Sequence, residues 1–175
     1  MHPLTAIFLG LVQGLTEFLP ISSSGHLALL EHYLHVSGGG LSFDILLHLG
    51  TLAALVAYFG RDWLGMGRSL ARPSPENQGE RYLFLYLVVA TIPGALAGLL
   101  LEHKAETLFR QPFRIALLLG SVGLLLLVGE RLARHHRTFA RLTIFDAVLI
   151  GLSQGLAVMP GVSRSGITMT CALFL

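Results

Sequence analysis

GLVQGLTEFLPISSSGH (10–26) is a polar interruption in an apolar segment, and GLSQGLAVMPGVSRSGIT (151–168) repeats it further along the chain. The offset is 141 at Gln13 and Gln154, and again at Ser24-Gly25 and Ser165-Gly166. The proline between these anchors slips by one position, which compensating single-residue shifts absorb. An internal repeat accounts for both copies. Each polar turn lies between two apolar runs, 3–20 and 27–34 in the first copy, 144–160 and 167–175 in the second. A helix needs about 20 apolar residues to cross a bilayer, and each run, once its polar positions are counted, falls short. Two short apolar halves meeting at a polar turn read as a re-entrant helix hairpin, so hairpins are expected over 3–34 and 144–175.

Composition agrees with a bilayer setting. Of the 175 residues, 53% are hydrophobic and only 13% charged, with 20 glycines. Soluble domains run near a quarter charged, and glycine within apolar segments is a habit of membrane helices. A net charge of +2 without a basic patch argues against a nucleic-acid partner. Cys171 is alone, which excludes an internal disulfide and a cysteine-based metal site. No Lys or Arg precedes the first apolar run and no A-x-A site follows it, so no cleavable signal is expected.

Three segments between the hairpins read as full spans: 41–59, 82–101 and 114–130. The second carries Gly94 and Gly98 at a spacing that lets another helix approach closely, and Pro93, which should kink it. The third is Leu-rich between Arg114 and Arg131, whose long side chains can snorkel to the interface. The expected fold is therefore an all-α polytopic membrane domain over 1–175, with an inverted-topology repeat.

Orientation follows from the basic residues. None occurs before Arg61. Arg61, Arg68, Arg72 and Arg81 fall in one connector, Lys104, Arg110 and Arg114 in the next, and Arg131, Arg134, Arg137 and Arg141 in the last, beside His135 and His136. The positive-inside rule places 61–81 and 131–143 in the cytoplasm and the N-terminus outside. With three spans between them, one hairpin dips in from outside and the other from inside. Broken helices of inverted repeats meet near the midplane to form a site.

The chemistry-bearing residues lie in the two turns. Gln13 and Glu17 share a helix face at i,i+4, and an ionisable group among apolar runs marks function. Glu17 can ligate a hard divalent cation, with Gln13 beside it, or act as a general base. Ser22, Ser23, Ser24 and Gly25 open a helix, whose free N–H groups and positive dipole end favour an anion. Ser23 offers a nucleophile and His26 a proton partner; caps and packing are the plainer roles for the same residues. Arg164, between Ser163 and Ser165-Gly166 at the second helix start, has the fork that suits phosphate oxygens. Asp44 and His48 share a face and serve equally as packing residues or as site members. Asp146 most simply serves a helix dipole. His2, His32, His35 and His103 read as interfacial.

QGLTEFLPISSSGH (13–26), FDILLHLGTLAALVAYF (43–59) and PGVSRSGIT (160–168) resemble the undecaprenyl-diphosphatase family of the bacitracin-resistance type. Its signatures are E/Q-x-x-x-E running into P-x-S-S-[ST]-G-H, and a later P-G-x-S-R-S-G. The resemblance covers essentially the whole chain. It implies an inverted repeat with two re-entrant helix pairs, and removal of the terminal phosphate of undecaprenyl diphosphate at the outer face of the bacterial cytoplasmic membrane. That reaction recycles a carrier lipid for peptidoglycan synthesis, and a divalent cation, Mg2+ or Ca2+, is implied. Carried onto this sequence, the signatures give Glu17, Ser23, His26 and Arg164 as catalytic, and Gln13 with Glu17 at the metal. Ser22, Ser24, Gly25, Ser163, Ser165 and Gly166 become phosphate-binding. Gln13 replaces one carboxylate that other family members offer a cation. The family also continues past the position of Leu175 with further spans, so the C-terminal spans of the second repeat are expected to be missing here.

The expected partners are a polyprenyl diphosphate lipid and the bilayer, with a homodimer among the assembly states left open. The same broken-helix site suits a transporter or flippase for a lipid phosphate or small anion. A membrane phosphatase of the phosphatidic-acid type would need K-x6-R-P, absent here, and a His where Thr170 stands. Whether Ser23, His26 or a water activated by Glu17 attacks phosphorus is left open by the sequence.

Overall fold

The computed structural model describes residues 2–36, 40–133 and 141–175, and every regular element among them is helical. Arg134, His135, His136 and Arg137, read above as part of a basic connector, lie outside the described residues.

The first polar segment folds as two short helices. Helix α1 (Pro3–Thr16) starts with proline at its first position, where the missing N–H costs nothing, under a His2 side chain that accepts from Leu4 N at 3.3 Å. It stops before Pro20, since a residue preceding proline is pushed out of the helical region. Helix α2 (Ser23–Tyr33) restarts after a sharp reversal at Ser22, whose φ of 63° is unusual for a non-glycine residue. Helix α3 (Leu41–Tyr58) follows and bends by 64° at Phe59 into α4 (Gly60–Ala71), which holds Arg61 and Arg68 and is capped by Arg72. The connector after the first expected span is thus itself helical.

Helix α5 (Gln78–Phe109) runs without interruption through Pro93, and α6 (Pro112–Leu132) again begins on proline. Their apolar stretches, 78–105 and 112–132, are long enough to cross a membrane; the bent pair α3–α4 brings the candidate spans to three. Helix α7 (Ile144–Gln154) opens with a capping box, in which Asp146 Oδ2 accepts from Thr143 N at 2.8 Å while Thr143 Oγ1 accepts from Asp146 N at 3.3 Å. That box gives Asp146 a definite task at a helix start. A 3-10 turn over Gly155–Val158 follows, then α8 (Arg164–Phe174).

Burial is inverted relative to a water-soluble domain. Large apolar side chains such as Phe113, Leu99 and Leu100 are exposed, while Gln13, Ser69, Asp146 and Thr170 are buried. Exposed apolar area on that scale needs an apolar solvent. The chain is a membrane protein.

Packing centres on α6 and α5. Helix α6 touches both α2 and α8, and α5 carries α7 and its 3-10 turn. The α5–α7 contact is close because Gly151 has no side chain: a Cβ there would lie 2.5 Å from the Ala90 carbonyl oxygen. Gly94 faces the Gln154 side chain with no room for a methyl, whereas Gly98, expected to share this role, has open space around it. The close-approach surface of α5 is therefore Ala90 with Gly94, one turn earlier than the Gly94–Gly98 pair.

Candidate functional site

The two polar turns are built alike. Each helix start has a serine at the N-cap: Ser22 Oγ accepts from Gly25 N at 3.4 Å, and Ser163 Oγ accepts from Gly166 N at 3.0 Å. In each, the capping hydroxyl also lies near the serine two residues on, Ser22 to Ser24 at 3.4 Å and Ser163 to Ser165 at 3.1 Å. Four N–H groups at a helix start have no partner within the helix. The caps occupy those of Gly25 and Gly166, so the N–H groups open to an anion are those of Ser23 and Ser24 in one turn and Arg164 and Ser165 in the other.

The turns also touch. Ser165 Oγ donates to the Leu19 carbonyl at 3.4 Å, and a Cβ on Gly166 would lie 3.1 Å from the Pro20 carbonyl oxygen. Behind them Gly25 abuts Gly161, and both rest on α6 at Leu119 and Ile115. Gly161 has φ 97°, a conformation other residues rarely adopt, and a Cβ there would lie 2.8 Å from the Ile115 carbonyl oxygen.

Glu17 is the hub of the first turn. Its Oε2 accepts from Gln13 Nε2 at 2.9 Å and, in a very close contact, from Ser23 Oγ. His48 Nε2 on α3 lies 3.6 Å from the same oxygen. His48 is the residue that the sequence left undecided; its signal was a histidine one turn after Asp44 inside an apolar span. Asp44 enters through its backbone, the carbonyl lying 2.7 Å from His48 Nδ1. Gln13 is 1% exposed, and its Oε1 is buried without a hydrogen-bond partner among the described residues.

His26 does not meet Ser23. Its Nδ1 lies 2.8 Å from the Ser22 carbonyl, so the hydroxyl of Ser23 is held by Glu17 instead. Arg164 is exposed at the first position of α8 and, among the described residues, its guanidinium makes no hydrogen bond or ion pair. A cation left unpaired at a helix start has its full donor set available to an anion. Gln154, the copy of Gln13, does something different: its Nε2 donates to the Ala90 carbonyl at 3.4 Å. Position 158 holds Val158 where the first copy has Glu17, so only one turn carries an acid.

Comparison with known proteins adds a family. The model of the bacitracin resistance protein BacA family matches residues 6–175. The undecaprenyl-diphosphatase of Moorella thermoacetica is 52% identical over 173 residues, covering 99% of this chain and 66% of the relative. That of Gemmatimonas aurantiaca is 49% identical, covering 97% and 65%. The undecaprenyl-diphosphatase 1 of Shouchella clausii is 42% identical, covering 99% and 65%. The chain thus spans just under two thirds of the length of the curated relatives it matches.

Proposed function

The chain belongs to the bacitracin resistance protein BacA family, and we propose that it removes the terminal phosphate of undecaprenyl diphosphate, giving undecaprenyl phosphate and inorganic phosphate. The observation that carries this reading is the hydrogen bond from Ser23 Oγ to Glu17 Oε2, a hydroxyl held by a carboxylate able to take its proton. The names of the relatives supply the substrate. The biological role that follows is recycling of the carrier lipid for peptidoglycan synthesis, and with it bacitracin resistance.

In this mechanism the diphosphate lies between the two turns. Arg164 binds the terminal phosphoryl oxygens bidentately, with Ser163, Ser165, Ser22 and Ser24 and the open N–H groups of both helix starts completing the cradle. Ser23 Oγ attacks the terminal phosphorus while its proton passes to Glu17. The bond to the bridging oxygen breaks, and undecaprenyl phosphate leaves. Water then attacks the phosphoserine and gives a proton to His26 Nε2, the ring nitrogen not turned to the Ser22 carbonyl. Glu17 returns its proton to Ser23, His26 releases its proton to solvent, and phosphate leaves. Arg164 stabilises charge on the phosphoryl group in both steps.

A divalent cation, Mg2+ or Ca2+, fits the donor set. The buried, unpartnered Oε1 of Gln13 and the carboxylate of Glu17 are hard oxygen donors, and Mg2+ is commonly held by one or two carboxylates together with substrate phosphates. Such an ion would neutralise phosphate charge and polarise phosphoryl oxygens.

The inverted repeat with re-entrant hairpins is supported by the like construction of the two turns, by their mutual contact, and by helices α1, α2, α7 and α8, each too short to span. The absence of Lys and Arg before Arg61, with Arg61 and Arg68 on α4 and Arg72 at its C-cap, supports a site facing the outer side of the bacterial cytoplasmic membrane.

The test is phosphate release from undecaprenyl diphosphate by purified protein carrying this chain, in detergent with Mg2+ or Ca2+. Release that collapses in Glu17→Ala and in Arg164→Ala is expected. Undiminished release by both variants, or lipid binding and flux without hydrolysis, would overturn the proposal.

A further inference from the structure

Helix α4 turns aside from the span that leads into it. Helix α3 has 18 residues, about 27 Å of helix, and so nearly covers a hydrocarbon core by itself. The 64° bend at Phe59 then swings α4 away from that course, toward the plane of the bilayer. An aromatic belt marks the bend. Tyr58 packs edge-on against Phe59 with ring centroids 4.8 Å apart, Trp63 follows one turn later, and all three are exposed. Tyrosine and tryptophan gather at the level of the headgroups. Helix α5 gives the same depth independently. A Cβ on Gly65, midway along α4, would lie 3.6 Å from Glu80 Oε2, and Glu80 stands just before the charge-free run 82–101. Helix α4 thus lies where α5 enters the bilayer.

The faces of α4 are sorted to suit that depth. At about 100° per residue, Arg61 and Arg68 fall within about 20° of each other, and Arg72 at the C-cap continues their row. Met66 and Ser69 are buried where the helix packs on its neighbours, chiefly α5. Trp63, Leu64 and Leu70 are exposed on the remaining arc. Asp62, the single acid of the helix, stands in its first turn, where it serves the dipole. Among the described residues, the guanidiniums of Arg61, Arg68 and Arg72 make no hydrogen bond or ion pair.

We propose that α4 is an interfacial helix that gathers anionic phospholipids. Trp63, Leu64 and Leu70 rest at the acyl boundary, while Arg61, Arg68 and Arg72 bind headgroup phosphates of the leaflet in which the helix lies. At 12 residues, about 18 Å, α4 is too short to cross and has the composition of a helix that lies in the interface. Charge selects the occupant. Another apolar helix would cover Trp63, Leu64 and Leu70 but leave a row of guanidiniums unanswered beside them. An anionic leaflet meets both faces at once, because basic groups next to apolar anchors draw acidic lipids to the helix. The inference needs only the membrane setting. It uses no residue of the two turns and is independent of the phosphatase reading.

Trp63 is the only tryptophan in the chain, so its fluorescence reports on α4 alone. The experiment reconstitutes purified protein into vesicles of phosphatidylcholine and phosphatidylglycerol in equal parts, with bromine as contact quencher on one lipid or the other. Bromine near the glycerol end of the acyl chains should quench Trp63 more than bromine near the chain ends. Brominated phosphatidylglycerol should quench more than brominated phosphatidylcholine. One basic residue near an anionic surface is worth a factor of about 5, so the lipid preference read from quenching should be about 5-fold or more. Arg61→Gln, Arg68→Gln and Arg72→Gln together should make the two lipids equal, whereas Arg61→Lys, Arg68→Lys and Arg72→Lys should keep the preference. Equal quenching by the two lipids in the wild type would overturn the proposal. So would strongest quenching from the chain ends, the mark of a helix sunk in the core. Absence of lipid quenching would overturn it too, since a second copy or another segment would then cover Trp63. The wild-type protein decides all three points, so misfolding of a variant does not shield the idea.

Discussion

Gly25 meets Gly161 so closely that a Cβ on Gly25 would lie 3.1 Å from the Gly161 Cα, which fuses the two polar turns backbone to backbone. Each turn is a helix start that few contacts hold in place on its own. Joined here, with α6 behind them, they present their serines and Arg164 as one surface.

Gly161 should be the least tolerant position in this joint. Gly161→Ala combines a positive φ with a Cβ 2.8 Å from the Ile115 carbonyl, so a loss of about 1–3 kcal/mol is expected in thermal or denaturant unfolding in detergent. Gly14→Ala, with nothing near its Cβ, should leave stability unchanged or raise it by about 0.5–1 kcal/mol through helix propensity.

Glu17→Gln keeps the shape of the side chain and an oxygen for Ser23 but removes the base. The expected outcome is a fall in kcat for phosphate release of about 10²–10⁴-fold, with lipid KM little changed. Equal kcat in the variant would exclude Glu17 as the proton acceptor.

Arg164→Ala should lower kcat by about 10²–10³-fold, as loss of a donor to transition-state charge does elsewhere. Arg164→Lys should recover only part of this, because an ammonium cannot bind two oxygens in a fork. The unfolding temperature should stay near wild type in both, since the guanidinium has no partner among the described residues.

Ser163→Ala removes the cap on Gly166 N and should cost about 0.5–2 kcal/mol, while Ser163→Gly should cost only a few tenths. A wild-type kcat in both, despite unequal stability, would mean that the hydroxyl serves the helix and not the substrate.

Much of the arrangement was legible in residues 10–26 and 151–168, because apolar runs cut by Gln, Ser, Gly and Pro cannot continue as one helix. The serine caps were legible for the same reason. Four features were not. The Gly25–Gly161 contact joins residues far apart in sequence, and neither glycine differs locally from the many others. The partner of Ser23 turned on the rotation of the turn, which directs His26 to the Ser22 carbonyl and Ser23 to Glu17. His48 reaches Glu17 only because α3 packs on α1, and no spacing within either helix encodes that. The bend at Phe59 was equally hidden, for an apolar span and an amphipathic basic helix are separated there by that one residue.

Helix α6 deserves a different description from that of a packing partner. Leu119 lies under Gly25, and Ile115 under Gly161, one helical turn apart. The acid–serine half of the site and the arginine half are therefore seated on the same short stretch of a single rod, which acts as the gauge that fixes their separation. Trimming Leu119 would recalibrate the gap between Ser23 and Arg164 with every reactive group still present. The proposed activity should thus be open to retuning from α6, with no change to the residues of the two turns.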